Sequence, residues 1–442
     1  MEVKPFKAFR FDADVVGDVG NCVSPPYDVI SPSQQQQLYE KSDYNIVRII
    51  MGKTTAGDND GNNRYTRAAE YFNGWIDKGA LKQDSTDAIY PYVQDFEIFG
   101  RRLCRKSFIA LTRLQEFGEA IRPIASIRPH EQTLDEPKLD RLNLKRATRA
   151  DFGLPFCLYD DNKQIADNII ENASQQKPLI DFTDDQAVRH RLFAVTAQDD
   201  IDAITNMMRE KNCIIADGHH RYEAAWSYYQ ETGNPAARYQ MIAFVNSYNE
   251  GLIILATHRL VANLANFHFE NLISDLQGDF EVAKFGFDSP DLKSKARLDI
   301  PARMKAEYDK DRNAFGIYGA DNSFYVAVLK DRHTMDAVAP DRSDQWRSLD
   351  VSVLHKLILE KLLGIGDREL AGGTYIDYVK DTDNALDDSI AKVDAGQKQV
   401  AFFMNPAKIQ QLEKVTAAGE KMPQKSTFFY PKIHSGLTIH KV

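Results

Sequence analysis

The stretch Cys213-Ile214-Ile215-Ala216-Asp217-Gly218-His219-His220-Arg221-Tyr222-Glu223-Ala224-Ala225 constrains this chain more than any other. Its apolar run, residues 213–216, reads as a short buried strand. Asp217-Gly218 marks a sharp turn, and the residues from Tyr222 onward read as a helix. Two histidines and an arginine therefore stand where that helix begins. Backbone N–H groups at a helix start favour anions, and His and Arg side chains add donors and charge. The segment reads as a phosphate-binding strand–loop–helix.

With 442 residues the chain is too long for one ordinary domain, and two or three are expected. A net charge of -9, with no long Lys/Arg block, disfavours a dedicated nucleic-acid binder, whose affinity rests on neutralising phosphates. A small anionic ligand stays open, because local positive charge can sit in a cleft. Cys22, Cys104, Cys157 and Cys213 are scattered beside apolar residues, without metal-ligand or redox spacing. They read as buried thiols, which fits a reducing, cytoplasmic compartment. The charged start, Met1-Glu2-Val3-Lys4, has no apolar core, and no apolar run approaches a membrane span. No signal peptide and no membrane partner are expected.

Strands and helices mix along the whole chain, which argues for an α+β or mixed α/β architecture. Helical patterns cover 33–39 and 63–79, with a polar loop between them. Strands at 88–96 and 105–117 around Gly100 read as a hairpin. A charged helix follows from about 136 to 150, then strands at 155–159 and 191–196, and a helix at 200–211 leading into the 213–216 strand. Two apolar strands, 241–246 and 252–257, come next. The last third shows helices at 264–276 and 289–308, strands at 314–318, 323–329 and 400–404, and an amphipathic helix at 349–363.

Five groups could carry chemistry. In the loop itself, Gly218 permits a positive φ and close approach to a ligand. Arg221 can fork two phosphate oxygens, and the histidines can donate. Asp217 could hold a metal, accept a proton, or orient its neighbours; a polar turn with an internal ion pair is the bland alternative. In Arg128-Pro129-His130-Glu131-Gln132-Thr133, Glu131 is a candidate base or metal ligand, and His130 could orient it or bind phosphate. That segment gains weight only if the fold brings it to the loop. Ser24-Pro25-Pro26-Tyr27-Asp28 is a rigid corner or a substrate gate. Lys425 and Ser426 precede an aromatic run and could touch an anion; the run could equally pack as a strand. His258 and Arg259 follow a buried strand, a common place for sites in α/β folds. Walker-A, kinase glycine-loop, GxGxxG and GxSxG motifs are all missing, so phosphate chemistry falls to the Asp-Gly-His-His-Arg loop.

With these residues quoted, the chain resembles the family known as domain of unknown function 1015. The motifs are Pro25-Pro26-Tyr27-Asp28-Val29-Ile30, Pro129-His130-Glu131-Gln132-Thr133, Asp217-Gly218-His219-His220-Arg221-Tyr222, Thr257-His258-Arg259-Leu260, Leu349-Asp350-Val351-Ser352-Val353-Leu354-His355 and Lys425-Ser426-Thr427-Phe428-Phe429-Tyr430-Pro431-Lys432. The central region also resembles the ParB/sulfiredoxin superfamily, which has a phosphate-binding loop at a helix start. Sulfiredoxins place a nucleophilic Cys before the His-Arg pair, where this chain has His219. ParB-type proteins use Gly-Glu-Arg-Arg and add a DNA reader. The free serine kinases, with a His-Glu segment upstream of an Asp-Gly-His-x-Arg loop, are most similar.

That resemblance implies Glu131 as the base that activates a hydroxyl. It implies Gly218, His219, His220 and Arg221 as the phosphate cradle, and Asp217 as a metal or substrate contact. Arg128, Tyr27, Asp28, His258, Arg259, Lys425 and Ser426 remain candidates for substrate contact. The expected activity is phosphoryl transfer on serine, phosphoserine or a similar small metabolite, with ATP or ADP and Mg2+. A non-catalytic nucleotide- or metabolite-binding regulator and a nucleotide-independent phosphatase are the alternatives. The expected partners are a phosphorylated metabolite or nucleotide, and a homodimer is allowed for. Three regions are expected: 1–125 (α+β), 126–260 (ParB/sulfiredoxin-like) and 261–442 (α+β).

Overall fold

A computed structural model describes residues 1–117 and 127–442. The fold is mixed α/β and divides into two compact units. The first comprises residues 1–129, 133–253 and 431–442, and the second residues 130–132 and 254–430. The expected boundary at 125/126 lies outside the described residues.

A nine-stranded sheet organises the first unit. Its order is Ile127–Pro129, Cys213–Asp217, Phe156–Tyr159, Tyr239–Asn246, Arg101–Arg113, Tyr90–Ile98, Arg189–Leu192 and Ile180–Thr183, with Val3–Lys4 also on Arg101–Arg113. Arg101–Arg113 and Tyr90–Ile98, from the expected region 1–125, stand between strands of the expected region 126–260, so the two regions share one sheet and one unit. The hairpin predicted around Gly100 is present, with Ile98 opposite Arg101. Its two connecting residues, Phe99 and Gly100, both have positive φ (51° and 69°), the twist that a two-residue hairpin turn needs. The helix Gln198–Arg209 buries Ile201, Ile204 and Met208, one stripe at helical spacing, in the core that also takes Phe108, Ile215 and Phe244. Each such side chain stabilises the fold by about 1.5–3 kcal/mol.

The second unit is built on a six-stranded antiparallel sheet ordered Phe280–Gly286, Ser323–Leu329, Ala314–Tyr318, Val400–Phe403, Thr257–Val261 and Ile376–Lys380. Thr257–Val261, expected at the end of the central region, therefore belongs to this unit. The helix Pro290–Tyr308 lies tight against the sheet at Gly316, where a Cβ would stand 2.8 Å from Ile300 and Met304 side-chain atoms. The helix expected over 349–363 is not one regular α-helix: Asp350–Val353 is α-helical and Leu354–Glu360 is a π-helix. It buries Val351, Val353, Leu354, Leu357, Ile358 and Leu359, a face broader than a single α-helical stripe. Cys22, Cys157 and Cys213 are buried, Cys104 is half-buried, and none of the four is in a disulfide. Among the described residues no helix is long and apolar enough to cross a membrane.

Candidate functional site

The strand Cys213–Asp217 runs parallel to Ile127–Pro129 and antiparallel to Phe156–Tyr159. Cys213 to Ala216 are buried. The register slips between Ile215 and Asp217, a bulge that re-aims the end of the strand. Gly218 follows in the left-handed conformation (φ 87°, ψ 30°), and the helix His219–Thr232 starts directly after it. The helix thus begins three residues earlier than the sequence pattern suggests, and both histidines lie in its first turn.

Arg221 turns back over that glycine. A Cβ on Gly218 would lie 2.9 Å from Arg221 Nε and 3.0 Å from Cζ, and one on Gly153 would lie 3.4 Å from Nη1. The guanidinium therefore sits between two glycines. Nη1 donates to the Leu154 carbonyl at 2.8 Å, and Nη2 donates to Asp217 Oδ2 at 2.7 Å. The side chain is 9% exposed, and its Nε is buried without a hydrogen-bond partner. A buried N–H donor without an acceptor is costly, so this position suits a ligand oxygen.

The second oxygen of Asp217 accepts from Lys432 Nζ at 2.7 Å. Burial opposes ionisation of this carboxyl, but Lys432 and Arg221 outweigh it and hold its pKa well below the ordinary carboxylate range. With both oxygens taken by cations, Asp217 orients Arg221 and Lys432. The segment carrying Lys432 is itself anchored: the Pro431 carbonyl accepts from fully buried Arg105, and the Lys432 carbonyl accepts from Gln94 Nε2 at 3.0 Å. Burial pushes the Arg105 pKa down to about 10.

Beside Arg221 opens a cavity of about 40 Å³, lined among others by Tyr27, Arg141, Lys145, Asp151 and Ser435. Lys145 pairs with Asp151 at 2.6 Å, and Arg141 stacks over the Tyr27 ring, 3.8 Å from its centroid. Burial pushes the Tyr27 phenol up to about 12, so it stays a neutral donor. Each cation on its wall has a carboxylate partner, Lys145 with Asp151, Arg141 with Asp140 and Arg221 with Asp217, so the space is polar and lined by ion pairs. Its volume suits a phosphate-sized group and falls far below the roughly 300 Å³ at the lower end of whole-ligand pockets.

The sequence-predicted residues divide between the units. In the first, Tyr27 lines the cavity, Asp28 is exposed, and Arg128 is half-buried on the strand beside 213–217. His220 Nε2 accepts from the Leu134 backbone N–H at 3.0 Å, just ahead of the helix Asp135–Thr148. His219 is buried and adds to the positive field on Asp217. In the second unit, His130 Nε2 lies 2.9 Å from Thr427 Oγ1, and Glu131 Oε1 accepts from the Lys425 N–H at 3.1 Å. The Lys425 carbonyl accepts from Arg259 Nη2 at 3.0 Å, so one turn ties Glu131 and Arg259 together. Burial pushes the Arg259 pKa down to about 10. Ser426 Oγ donates to the Pro423 carbonyl, and His258 Nδ1 accepts from the Met404 N–H at 3.1 Å. The aromatic run holds a short strand, Phe428–Tyr430.

Gly153, Arg141, Lys145, Lys432 and Ser435 complete the surroundings of Arg221, and sequence reasoning gave none of them a role. Only Lys432 lay inside a quoted motif, and nothing local ties it to Asp217.

A family model described as "Protein of unknown function (DUF1015)" matches residues 3–352, and the chain belongs to that family. A comparison with curated proteins returns no match. Among solved structures, a mutant free serine kinase in complex with AMP is similar at 11% identity and a TM-score of 0.33, over 69% of this chain and 84% of that one. A conserved hypothetical protein from Pyrococcus furiosus is similar at 15% identity and 0.32, over 72% and 91%. SbnI with a C-terminal truncation, from Staphylococcus aureus, is similar at 10% identity and 0.33, over 74% and 84%. At these values the likeness says nothing about activity.

Proposed function

We propose that this DUF1015 chain is a phosphotransferase that binds an adenine nucleotide by its phosphates and moves a phosphoryl group to a small hydroxyl metabolite, serine first, or the reverse from phosphoserine. The observation that carries the reading is Arg221: a buried guanidinium between two glycines, its Nε without an acceptor, at a helix start beside a polar cavity of phosphate size. Phosphoryl transfer needs positioning and neutralisation of charge more than covalent help from the protein. Arg221 supplies both to a phosphate oxygen, and the first-turn N–H groups add a partial positive charge. Adenine and serine enter from the sequence resemblance to the free serine kinases.

The step needs a base that takes the hydroxyl proton as the new O–P bond forms and the P–O bond to the leaving nucleotide breaks, and the sequence resemblance gives that role to Glu131. Mg2+ is a partner of the nucleotide phosphates. Asp217 does not fit as its ligand, because both carboxylate oxygens accept from Arg221 and Lys432. Asp217 holds the two cations in place and takes no proton.

The test is full-length protein with ATP and L-serine, then with a panel of small hydroxyl metabolites, followed by 31P NMR. A new phosphomonoester with wild-type protein, absent with Arg221→Ala, is expected. Glu131→Gln is expected to lower turnover more than nucleotide affinity. Tight nucleotide binding with no product on any acceptor would replace this reading with a non-catalytic regulator. Release of inorganic phosphate from phosphoserine without nucleotide would replace it with a phosphatase.

A further inference from the structure

Asp184, His190 and His434 lie far apart in the sequence and meet in the first unit. One ligand atom from each, a carboxylate oxygen and two imidazole nitrogens, stands within 4.8 Å of the others. Asp184 follows the strand Ile180–Thr183, and His190 lies on the partner strand Arg189–Leu192. His434 comes from the C-terminal segment. His190 is fully buried, and the His434 side chain is 6% exposed. Asp184 is 12% exposed, the most accessible of the three.

The side chains are fixed in the way ligands are. Asp184 Oδ1 accepts from the N–H groups of Gln186 and Val188 at 2.9 and 3.0 Å, which leaves Oδ2 as the oxygen that faces both histidines. His190 Nε2 is 3.0 Å from Oδ2, and His434 Nε2 is 3.8 Å from it. These edges bracket the roughly 3.3 Å between two ligand atoms that each stand ~2.0–2.1 Å from a tetrahedral ion. The longer one exceeds a hydrogen bond. Behind the ring, His190 Nδ1 lies 2.5 Å from Tyr92 Oη. With Nδ1–H donating to that phenol oxygen, Nε2 is free to ligate, the usual outer support of a metal-bound histidine; without an ion, Nε2–H donates to Asp184 Oδ2 instead. Phe182 stacks on the ring at 4.7 Å, with 4° between the planes, and fixes its orientation.

We propose that Asp184 Oδ2, His190 Nε2 and His434 Nε2 form a binding site for a divalent first-row transition ion, Zn2+ first, with the fourth position left to water. Two imidazoles and one carboxylate suit that class better than Mg2+ or Ca2+, which prefer all-oxygen sites. The ion would clip the C-terminal segment to the 180–192 hairpin. That segment also delivers Lys432 to Asp217 and Ser435 to the cavity beside Arg221. The site is therefore a structural clip that sets the position of Lys432, independent of which reaction the loop serves.

The experiment uses full-length protein stripped with a chelator and then titrated with Zn2+ and with Co2+. Metal content, the visible Co2+ spectrum and thermal unfolding are measured on wild type, Asp184→Asn and His434→Gln. One ion per chain is expected, with an intense tetrahedral-type Co2+ band and no thiolate charge-transfer band, and with a higher Tm when the ion is bound. Each variant should bind at least tenfold more weakly and lose the Tm shift. Wild-type protein that takes up neither ion at micromolar concentration would overturn the proposal. So would a thiolate band, since this site has no sulfur, or undiminished binding by folded variants. Should a variant fail to fold, the wild-type stoichiometry and spectrum still decide.

Discussion

Gly218→Ala separates the shape of the loop from its charge. At φ 87° an alanine is strained by about 1–2 kcal/mol, and its Cβ would stand 2.9 Å from Arg221 Nε. The guanidinium is pinned by Leu154 and Asp217 at 2.8 and 2.7 Å, so it can retreat only by giving up one of these bonds or its aim at the ligand. One charge-assisted hydrogen bond is worth about 1.5–3 kcal/mol, which is on the order of 10- to 150-fold in affinity for a phosphate ligand. Gly233→Ala is the control. Gly233 ends the same helix at φ 61°, with nothing within 4 Å of an added Cβ, so it carries the strain without the displacement. Urea denaturation should show both variants destabilised by about 1–2 kcal/mol. Calorimetric titration with ADP should show the affinity loss in Gly218→Ala alone. Wild-type affinity in Gly218→Ala, or an equal loss in Gly233→Ala, would refute the reasoning.

Two further outcomes follow from the same geometry. Asp217 ionises more readily folded than unfolded, because Lys432 and Arg221 outweigh its burial. Its stabilisation is complete above the unfolded pKa of about 4 and is lost as pH falls through the lower folded value. The stability gap between wild type and Asp217→Asn should therefore be narrower at about pH 3 than at about pH 7 in urea titrations, and a constant gap would contradict the ion-pair role. His220→Ala removes the acceptor for the Leu134 N–H just ahead of the helix Asp135–Thr148 and should cost about 0.5–1 kcal/mol in the same assay, the worth of an ordinary hydrogen bond. An unchanged stability would return His220 to the ligand.

Local chemistry made part of the fold and site legible from the sequence. The strand at 213–217 was readable because four apolar residues end at Asp-Gly, and the 90–113 hairpin because alternation flanks Phe99-Gly100. Asp217, Gly218 and Arg221 stand together because a strand, a left-handed glycine and one helical turn place residues i and i+4 side by side. The rest depends on distant chain. Lys432 reaches Asp217, and Gly153 packs on Arg221, through sheet order that no local pattern encodes. His190 and His434 likewise gave no ligand spacing, since one comes from the hairpin and the other from the C-terminal segment. The π-turn at Leu354–Glu360 was hidden because the apolar pattern there fits an α-helix equally well.

The central claim is that Arg221 holds a phosphate. A crystal structure of the full-length protein with ADP and L-serine tests it most directly. A phosphate oxygen within about 3 Å of Arg221 Nε, at the start of the helix His219–Thr232, is the predicted result. ADP bound with its phosphates away from Arg221, and the Nε still without an acceptor, would contradict it.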